Sequence, residues 1–116
     1  MKPLYWVGSS KRDLGTLPEA VVNLFGYALY LAQTGKKHDQ AKPLRGFGSA
    51  AVLEVVEDQD GNAYRAVYTV RIANRVFVLH VFQKKSKRGS ATPKGDVKLI
   101  GERLKAAELI ARELEL

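Results

Sequence analysis

Apolar residues recur at three- and four-residue intervals in the first third of the chain, which predicts an amphipathic helix. Thr16 and Glu19 precede most of this pattern at the spacing of a capping box, with Pro18 in the first turn. Gly35 follows it at a position that commonly ends a helix. Gly26 lies inside it and is expected to mark close packing, because a helical glycine costs about 1 kcal/mol relative to alanine. The predicted apolar face comprises Val21, Leu24, Phe25, Ala28, Leu31 and Ala32.

A second helical pattern closes the chain. Thr92 is expected to be its N-cap and Pro93 to lie in its first turn. Its apolar face comprises Val97, Ile100, Leu104, Ala107, Ala111 and Leu114.

Three stretches between the helices, residues 51–56, 64–72 and 76–82, have the composition of strands. Short turns at 60–61 and 73–74 make neighbouring stretches antiparallel, so a meander is the simplest topology. Residues 4–7 are expected to form an edge strand, and residues 36–48 a polar, basic connection. The predicted fold class is α+β: an antiparallel β-meander sheet packed with an N-terminal helix and a C-terminal helix.

The third predicted strand is apolar at both alternating sets of positions, so both of its faces are expected to be buried. Val76, Val78 and Phe82 form one set, and Phe77, Leu79 and Val81 form the other. Four cations follow within five positions: Lys84, Lys85, Lys87 and Arg88. A buried strand that runs into cations fixes positive charge at one end of a rigid sheet, where a polyanion would be bound or cut.

Length favours one domain, residues 1–116. Because the sequence shows no signal-peptide core and no segment that could span a bilayer, a cytoplasmic protein is expected. The chain has no cysteine, which excludes disulfides and thiolate metal sites. Its N-terminal apolar patch is too short for a signal peptide, and we expect no membrane contact. The net charge of +7 favours nucleic acid, an anionic surface or an acidic protein as partner.

Arg65 is the leading candidate for chemistry, because its position in mid-strand among apolar neighbours requires an anionic partner. It forms either a structural ion pair with Glu54 on the adjacent strand or a clamp for a phosphate group. Lys84 and Lys85 leave the next strand on opposite faces, so at most one of them is expected to join Arg65.

Two other kinds of candidate remain open. His80 is either a satisfied core histidine or a proton carrier. Tyr68 and Phe82 are either core residues or platforms on which RNA bases stack. No pattern of metal ligands and no Ser-His-Asp arrangement is present, so we expect neither a metal site nor a cofactor.

Five segments of the sequence, taken in their order along the chain, resemble the HigB-like, phage-related branch of the RelE/ParE toxin superfamily. The segments are Lys42-Pro43-Leu44-Arg45-Gly46, Leu53-Glu54-Val55, Tyr64-Arg65-Ala66-Val67-Tyr68, Leu79-His80-Val81-Phe82-Gln83-Lys84-Lys85-Ser86 and Thr92-Pro93. The resemblance implies a RelE-like fold and a toxin of a type II toxin–antitoxin system. Such a toxin is an endoribonuclease (mRNA interferase) that cuts mRNA on the ribosome and so inhibits translation. Its partner would be a helix-turn-helix antitoxin.

The resemblance also implies roles for single residues. Arg65 matches the strand arginine that contacts the scissile phosphate, and Lys85, preceded by Lys84, matches the basic pair at the end of the last strand. The implied reaction is metal-independent attack of an RNA 2′-hydroxyl on its neighbouring phosphate. Further contacts with mRNA or rRNA phosphates are expected from Lys42, Arg45, Lys87 and Arg88.

Two positions depart from the RelE pattern. Glu54 stands where RelE-type toxins have lysines, and Ala91 stands where they have a tyrosine. The general base and acid are therefore not inherited, and Glu54, His80, Tyr68 or a lysine with a lowered pKa could serve. The alternatives to a nuclease are a non-enzymatic inhibitor of DNA gyrase, as in the ParE branch, and an inactive phage-derived binding module.

Overall fold

The sheet has the strand order β1-β5-β4-β3-β2. The computed structural model describes residues 1–48, 51–84 and 92–115. In chain order its elements are β1 (Leu4–Trp6), α1 (Ser10–Gly15), α2 (Glu19–Gln33), β2 (Ala41–Pro43), β3 (Val52–Gln59), β4 (Asn62–Ile72), β5 (Arg75–Lys84) and α3 (Lys94–Glu113). The α+β class predicted from the sequence is confirmed.

Strands β3, β4 and β5 form the predicted antiparallel meander. Two-residue turns connect them, and both residues of each turn have positive φ: 53° and 80° at Asp60 and Gly61, and 52° and 56° at Ala73 and Asn74. Such turns match the right-handed twist of the strands they join. Strand β1 pairs with β5 in parallel, which makes the sheet mixed and places β5 in its interior.

Helices cover both faces of the sheet. Residues of α1 and α2 pack with Tyr64, Ala66 and Tyr68 of β4 on one face, which we call the α2 face. The buried residues of α3, including Ile100 and Ala107, pack on the opposite face, which we call the α3 face. Side chains of one strand alternate between these two cores.

Four local expectations are corrected by the structure. Helix α2 begins at Glu19, and the Thr16 hydroxyl donates to the Asp13 carbonyl at 2.7 Å, so Thr16 completes α1 rather than capping α2. Gly26 is not closely packed, because a Cβ added there would have no heavy atom within 4 Å. Thr92 makes no capping bond to α3, which has Pro93 at its N-cap. Residues 36–48 include a short strand, β2, paired with β3.

A β-bulge interrupts β5 and changes which side chains share a face. His80 lies opposite Val67 and Val78 lies opposite Tyr68, so Leu79 is an extra residue on β5. Before the bulge, Val76 and Val78 lie on the α2 face; beyond it, Val81 joins them there and Phe82 joins the α3 face. The regular alternation predicted from the sequence is therefore wrong beyond Leu79.

Candidate functional site

Glu54 and Arg65 form a buried ion pair on the α3 face. Arg65 Nη1 lies 2.8 Å from Glu54 Oε2, and the two side chains are only 4% and 5% exposed. Glu54 lies on β3 and Arg65 on β4, as expected. A guanidinium in the interior of a sheet requires such a partner, because burying an uncompensated charge is very unfavourable. The ion pair considered from the sequence is thus present.

Two further cations surround the Glu54 carboxylate. Lys42, directly opposite Glu54 on β2, has its Nζ 3.9 Å from Glu54 Oε1 and is 54% exposed. Lys84, at the end of β5, is buried. Burial lowers the pKa of Lys84 below its ordinary value, and among the neighbouring charges Arg65 lowers it, Glu54 raises it and Lys42 lowers it. Three cations are therefore close enough to interact around one carboxylate.

The β-bulge brings Lys84 to this cluster. Phe82 lies opposite Arg65 and Lys84 opposite Ala63, and directly opposed residues of an antiparallel pair share a face. In a regular strand Lys84 would lie on the same face as Val76 and Val78 and would point away from Arg65. Lys84, the last residue of β5, thus lies on the same face of the sheet as Arg65.

An open depression lies beside the ion pair. Its volume is about 480 Å³, and we call it the basic hollow. The residues that line it are Lys42, Pro43, Leu44, Arg45, Glu54, Thr92 and Val97. Lys42 and Arg45 are exposed and contribute cations, whereas Arg65 reaches the hollow through two residues that line it, Glu54 and Thr92.

Thr92 is a residue of the site that the sequence did not reveal. Its hydroxyl accepts a hydrogen bond from Arg65 Nη1 at 3.0 Å, so the segment leading into α3 is joined to β4. The Thr-Pro pair at a helix start is typical of a cap, and no local pattern distinguishes a cap from a contact made 27 residues away. Thr92 therefore helps to orient the Arg65 guanidinium.

His80 is enclosed by protein partners on both ring nitrogens. His80 Nε2 lies 2.8 Å from Asp96 Oδ1, and Nδ1 lies 3.4 Å from Arg103 Nη1. The ring also stacks on Phe82, with centroids 4.4 Å apart. These contacts connect β5 to the first half of α3 and match the satisfied histidine considered from the sequence.

Tyr68 and Phe82, both considered as RNA contacts, lie on opposite faces of the sheet. Tyr68 is fully buried beneath α2, so no base can stack on it. Burial raises the pKa of Tyr68 to about 12, and its hydroxyl has no hydrogen-bond partner in the part of the chain that the structure describes. Tyr68 is therefore corrected to a core residue. Phe82 is partly buried and lies beside an open groove that His80 and Tyr64 also line.

Lys85, Lys87 and Arg88 lie outside the described residues, as does Ala91. The described candidates separate into two groups. Lys42, Glu54, Arg65 and Lys84 come together around the ion pair, with Arg45 in the hollow beside it. His80 and Phe82 share the same face of the sheet, and the bonds of His80 lead to α3.

Comparison with known proteins assigns a family to this α+β chain. Residues 12–105 match the model of the family described as Phage derived protein Gp49-like (DUF891), and the chain belongs to that family. The matched range contains the whole cluster around Glu54 and the basic hollow. No curated protein and no solved structure matches the chain significantly. In the described residues, no helix has the length and apolar character needed to cross a membrane.

Proposed function

We propose that this chain is the toxin of a type II toxin–antitoxin pair and acts as an mRNA endoribonuclease on the ribosome. The observation that carries the proposal is the convergence of Lys42, Arg65 and Lys84 around Glu54, beside the open basic hollow. Membership of a phage-derived family and an α+β fold of the kind expected for RelE-like toxins support it. The cognate partner is a helix-turn-helix antitoxin.

The charge balance of the site favours a phosphodiester. Lys42, Arg45, Arg65 and Lys84 carry the positive charges, and Glu54 carries one negative charge. The surplus of cations attracts an anion to the hollow, and it does so in a partly desolvated site where charges interact more strongly than in water. Lys42 and Arg45 are exposed and meet the RNA first; Arg65 and Lys84 lie deeper.

The proposed reaction needs no group from outside the protein and the RNA. The 2′-oxygen attacks the adjacent phosphorus, the bond to the 5′-oxygen breaks, and a 2′,3′-cyclic phosphate forms. A base removes the 2′-hydroxyl proton, and an acid gives a proton to the departing 5′-oxygen. Arg65 and the lysines stabilise the extra negative charge of the transition state. Lys84 can act as the acid, because its lowered pKa makes it a better proton donor than an ordinary lysine.

Because Arg65 and Glu54 are paired and buried, a test of Arg65 must remove both charges together. Replacing Arg65 alone would leave the Glu54 carboxylate buried without its close partner, and loss of activity would then report misfolding. We therefore choose the double variant Glu54→Gln/Arg65→Gln, in which neutral amides replace both charges. The matched control is Arg71→Gln, an exposed arginine of the same strand.

The experiment maps RNA 5′ ends in cells after brief induction of each protein. Wild type and Arg71→Gln should arrest growth and produce new 5′ ends at codon-related positions in translated mRNA. The double variant should produce neither, while its melting curve still shows a cooperative fold. Cleavage that persists in the folded double variant would contradict the assignment of the site.

One observation favours a second candidate function. Arg65 is 4% exposed and already ion-paired, as expected if the pair serves only to stabilise the sheet. The chain would then act as a non-enzymatic protein inhibitor, as ParE-type toxins act on DNA gyrase. Growth arrest with DNA damage and intact mRNA would support this candidate over the nuclease.

A further inference from the structure

We infer that Arg103 is a positioning residue: its hydrogen bond to the Leu79 carbonyl holds the β-bulge that places Lys84 on the face of the sheet that carries Arg65 and Glu54. This role of Arg103 depends only on the geometry of the site, whereas its consequence for RNA binding rests on the proposed function.

At the bulge, β5 contains one residue, Leu79, that no residue of β4 opposes in the register. The ladder of hydrogen bonds is disrupted at such a residue, so contacts from outside the sheet can stabilise its backbone. Arg103 Nη1 donates to the Leu79 carbonyl at 2.9 Å. The preceding carbonyl, of Val78, accepts from the Ser10 hydroxyl at 3.2 Å and from the Val7 amide at 2.9 Å. Side chains of α3 and α1 thus support the backbone at the bulge.

The Arg103 guanidinium is itself held in place. Arg103 Nη2 donates to the Ser9 hydroxyl at 3.0 Å, and that hydroxyl donates to Asp13 Oδ2 at 2.7 Å. Gly8 makes room for the guanidinium: a Cβ at this position would lie 2.8 Å from Arg103 Nε, and Gly8 has a φ of +58°. A side chain at position 8 would therefore displace the Arg103 guanidinium, and the positive φ of Gly8 also favours glycine there.

The consequence of losing the bulge follows from the period of a strand. A shift of one residue transfers every later side chain to the opposite face. His80, Phe82 and Lys84 would then face α2, whereas Val81 would move to the α3 face. Lys84 would lose its position near Arg65, Glu54 and Lys42, the charges that act on it now. Arg103 thereby influences the cluster through the path of β5.

The test measures the pKa of Lys84 by NMR of lysine side chains, with the Lys84 signal assigned from its absence in Lys84→Arg. In Arg103→Met the pKa should rise towards the ordinary value of lysine, because Lys84 leaves its buried, cationic surroundings. Gly8→Ala should have the same effect by displacing the guanidinium. Arg103→Lys, which keeps a donor, should stay closer to wild type. Val21→Ala, a substitution in the α2 core, is the control for a general loss of stability.

A pKa of Lys84 that is unchanged in Arg103→Met, or that rises equally in Val21→Ala, would overturn the inference. A second measurement, the salt dependence of binding to a single-stranded RNA oligonucleotide, separates it from the proposed function. If Lys84 contacts a phosphate, the slope of log affinity against log salt should fall by about one in Arg103→Met. A risen pKa with an unchanged slope supports the role of Arg103 and counts against the phosphate contact of Lys84.

Discussion

The Glu54 carboxylate interacts with three cations. Loss of its charge should therefore lower the free energy of unfolding more than loss of the charge of an exposed acidic residue. Glu54→Gln keeps an acceptor for Arg65 but not the charge, so we expect a loss of about 2 kcal/mol in the free energy of unfolding. Urea denaturation measures this loss, and Asp58→Asn, at an exposed position of the same strand, is the control. Equal stability of the two variants would show that the ion pair does not stabilise the sheet.

Glu54 and Arg65 should also show strong coupling. Arg65→Gln alone leaves a buried carboxylate without its 2.8 Å partner, whereas the double variant Glu54→Gln/Arg65→Gln does not. We expect the double variant to be more stable than Arg65→Gln, which is non-additivity in a double-mutant cycle. Additive losses would contradict a direct interaction.

Tyr68 gives a prediction for alkaline pH. Burial raises the pKa of Tyr68 to about 12, above the value of about 10 in an unfolded chain. The folded state therefore holds the Tyr68 proton more tightly than the unfolded chain does. The contribution of this difference to the free energy of unfolding is complete below pH 10 and is lost as the pH rises to 12. Tyr68→Phe should reduce this alkaline loss, whereas Tyr27→Phe, at an exposed position, should not. Denaturation curves of wild type and both variants between pH 9 and 12 measure the alkaline loss of stability.

The sequence indicated the two leading residues of the site but not its arrangement. An arginine in mid-strand needs an anionic partner, and the sequence offered two: the Glu54 carboxylate on the neighbouring strand or a bound phosphate. The structure shows the first of these. Thr92 and Arg103 gave no such signal: the first resembles a helix cap, and the second resembles an ordinary charged residue of an amphipathic helix. Both act through contacts with residues distant in sequence.

Two glycines, Gly26 in a helix and Gly61 in a turn, should respond oppositely to replacement by alanine. Gly26 lies in α2 with open space around it, so Gly26→Ala should increase the free energy of unfolding by up to about 1 kcal/mol through helix propensity. Gly61 occupies the turn between β3 and β4 with a φ of +80°, so Gly61→Ala should decrease it by about 1 kcal/mol. Thermal melts of both variants measure these changes in stability. Changes of the same sign in the two variants would contradict the opposite roles assigned to Gly26 and Gly61.

The elements that the sequence predicted well are those with a long hydrophobic pattern. Helices α2 and α3 and the three strands of the meander fall in this group, with ends displaced by a few residues. Strand β2 was missed because it has only three residues and ends in Pro43, which is unusual except at a sheet edge. The bulge in β5 was missed because apolar residues flank Leu79 and His80 on both sides and no glycine or proline marks a break in the strand. That omission matters most, since it decides which face carries Lys84.

At the scale of the whole molecule, the basic hollow lies where β2, β3 and the segment before α3 meet. Lys42 and Arg45 are the exposed cations of the basic hollow. The double variant Lys42→Gln/Arg45→Gln should weaken binding to single-stranded RNA and reduce its salt dependence, because both contacts are electrostatic. Lys11→Gln/Arg12→Gln, on α1, makes the same change in net charge and is the control. Equal effects of the two variants would mean that net charge alone governs binding.

The most direct test of the proposed activity is the chemistry of the cut RNA ends. Purified wild-type protein is added to ribosomes translating a defined mRNA, and the fragments are analysed at both ends. We predict cuts at codon-related positions, with a 2′,3′-cyclic phosphate on one fragment and a 5′-hydroxyl on the other, and no cuts with Glu54→Gln/Arg65→Gln. Intact mRNA at an excess of folded wild-type protein, or fragments that carry 5′-phosphates, would contradict this prediction.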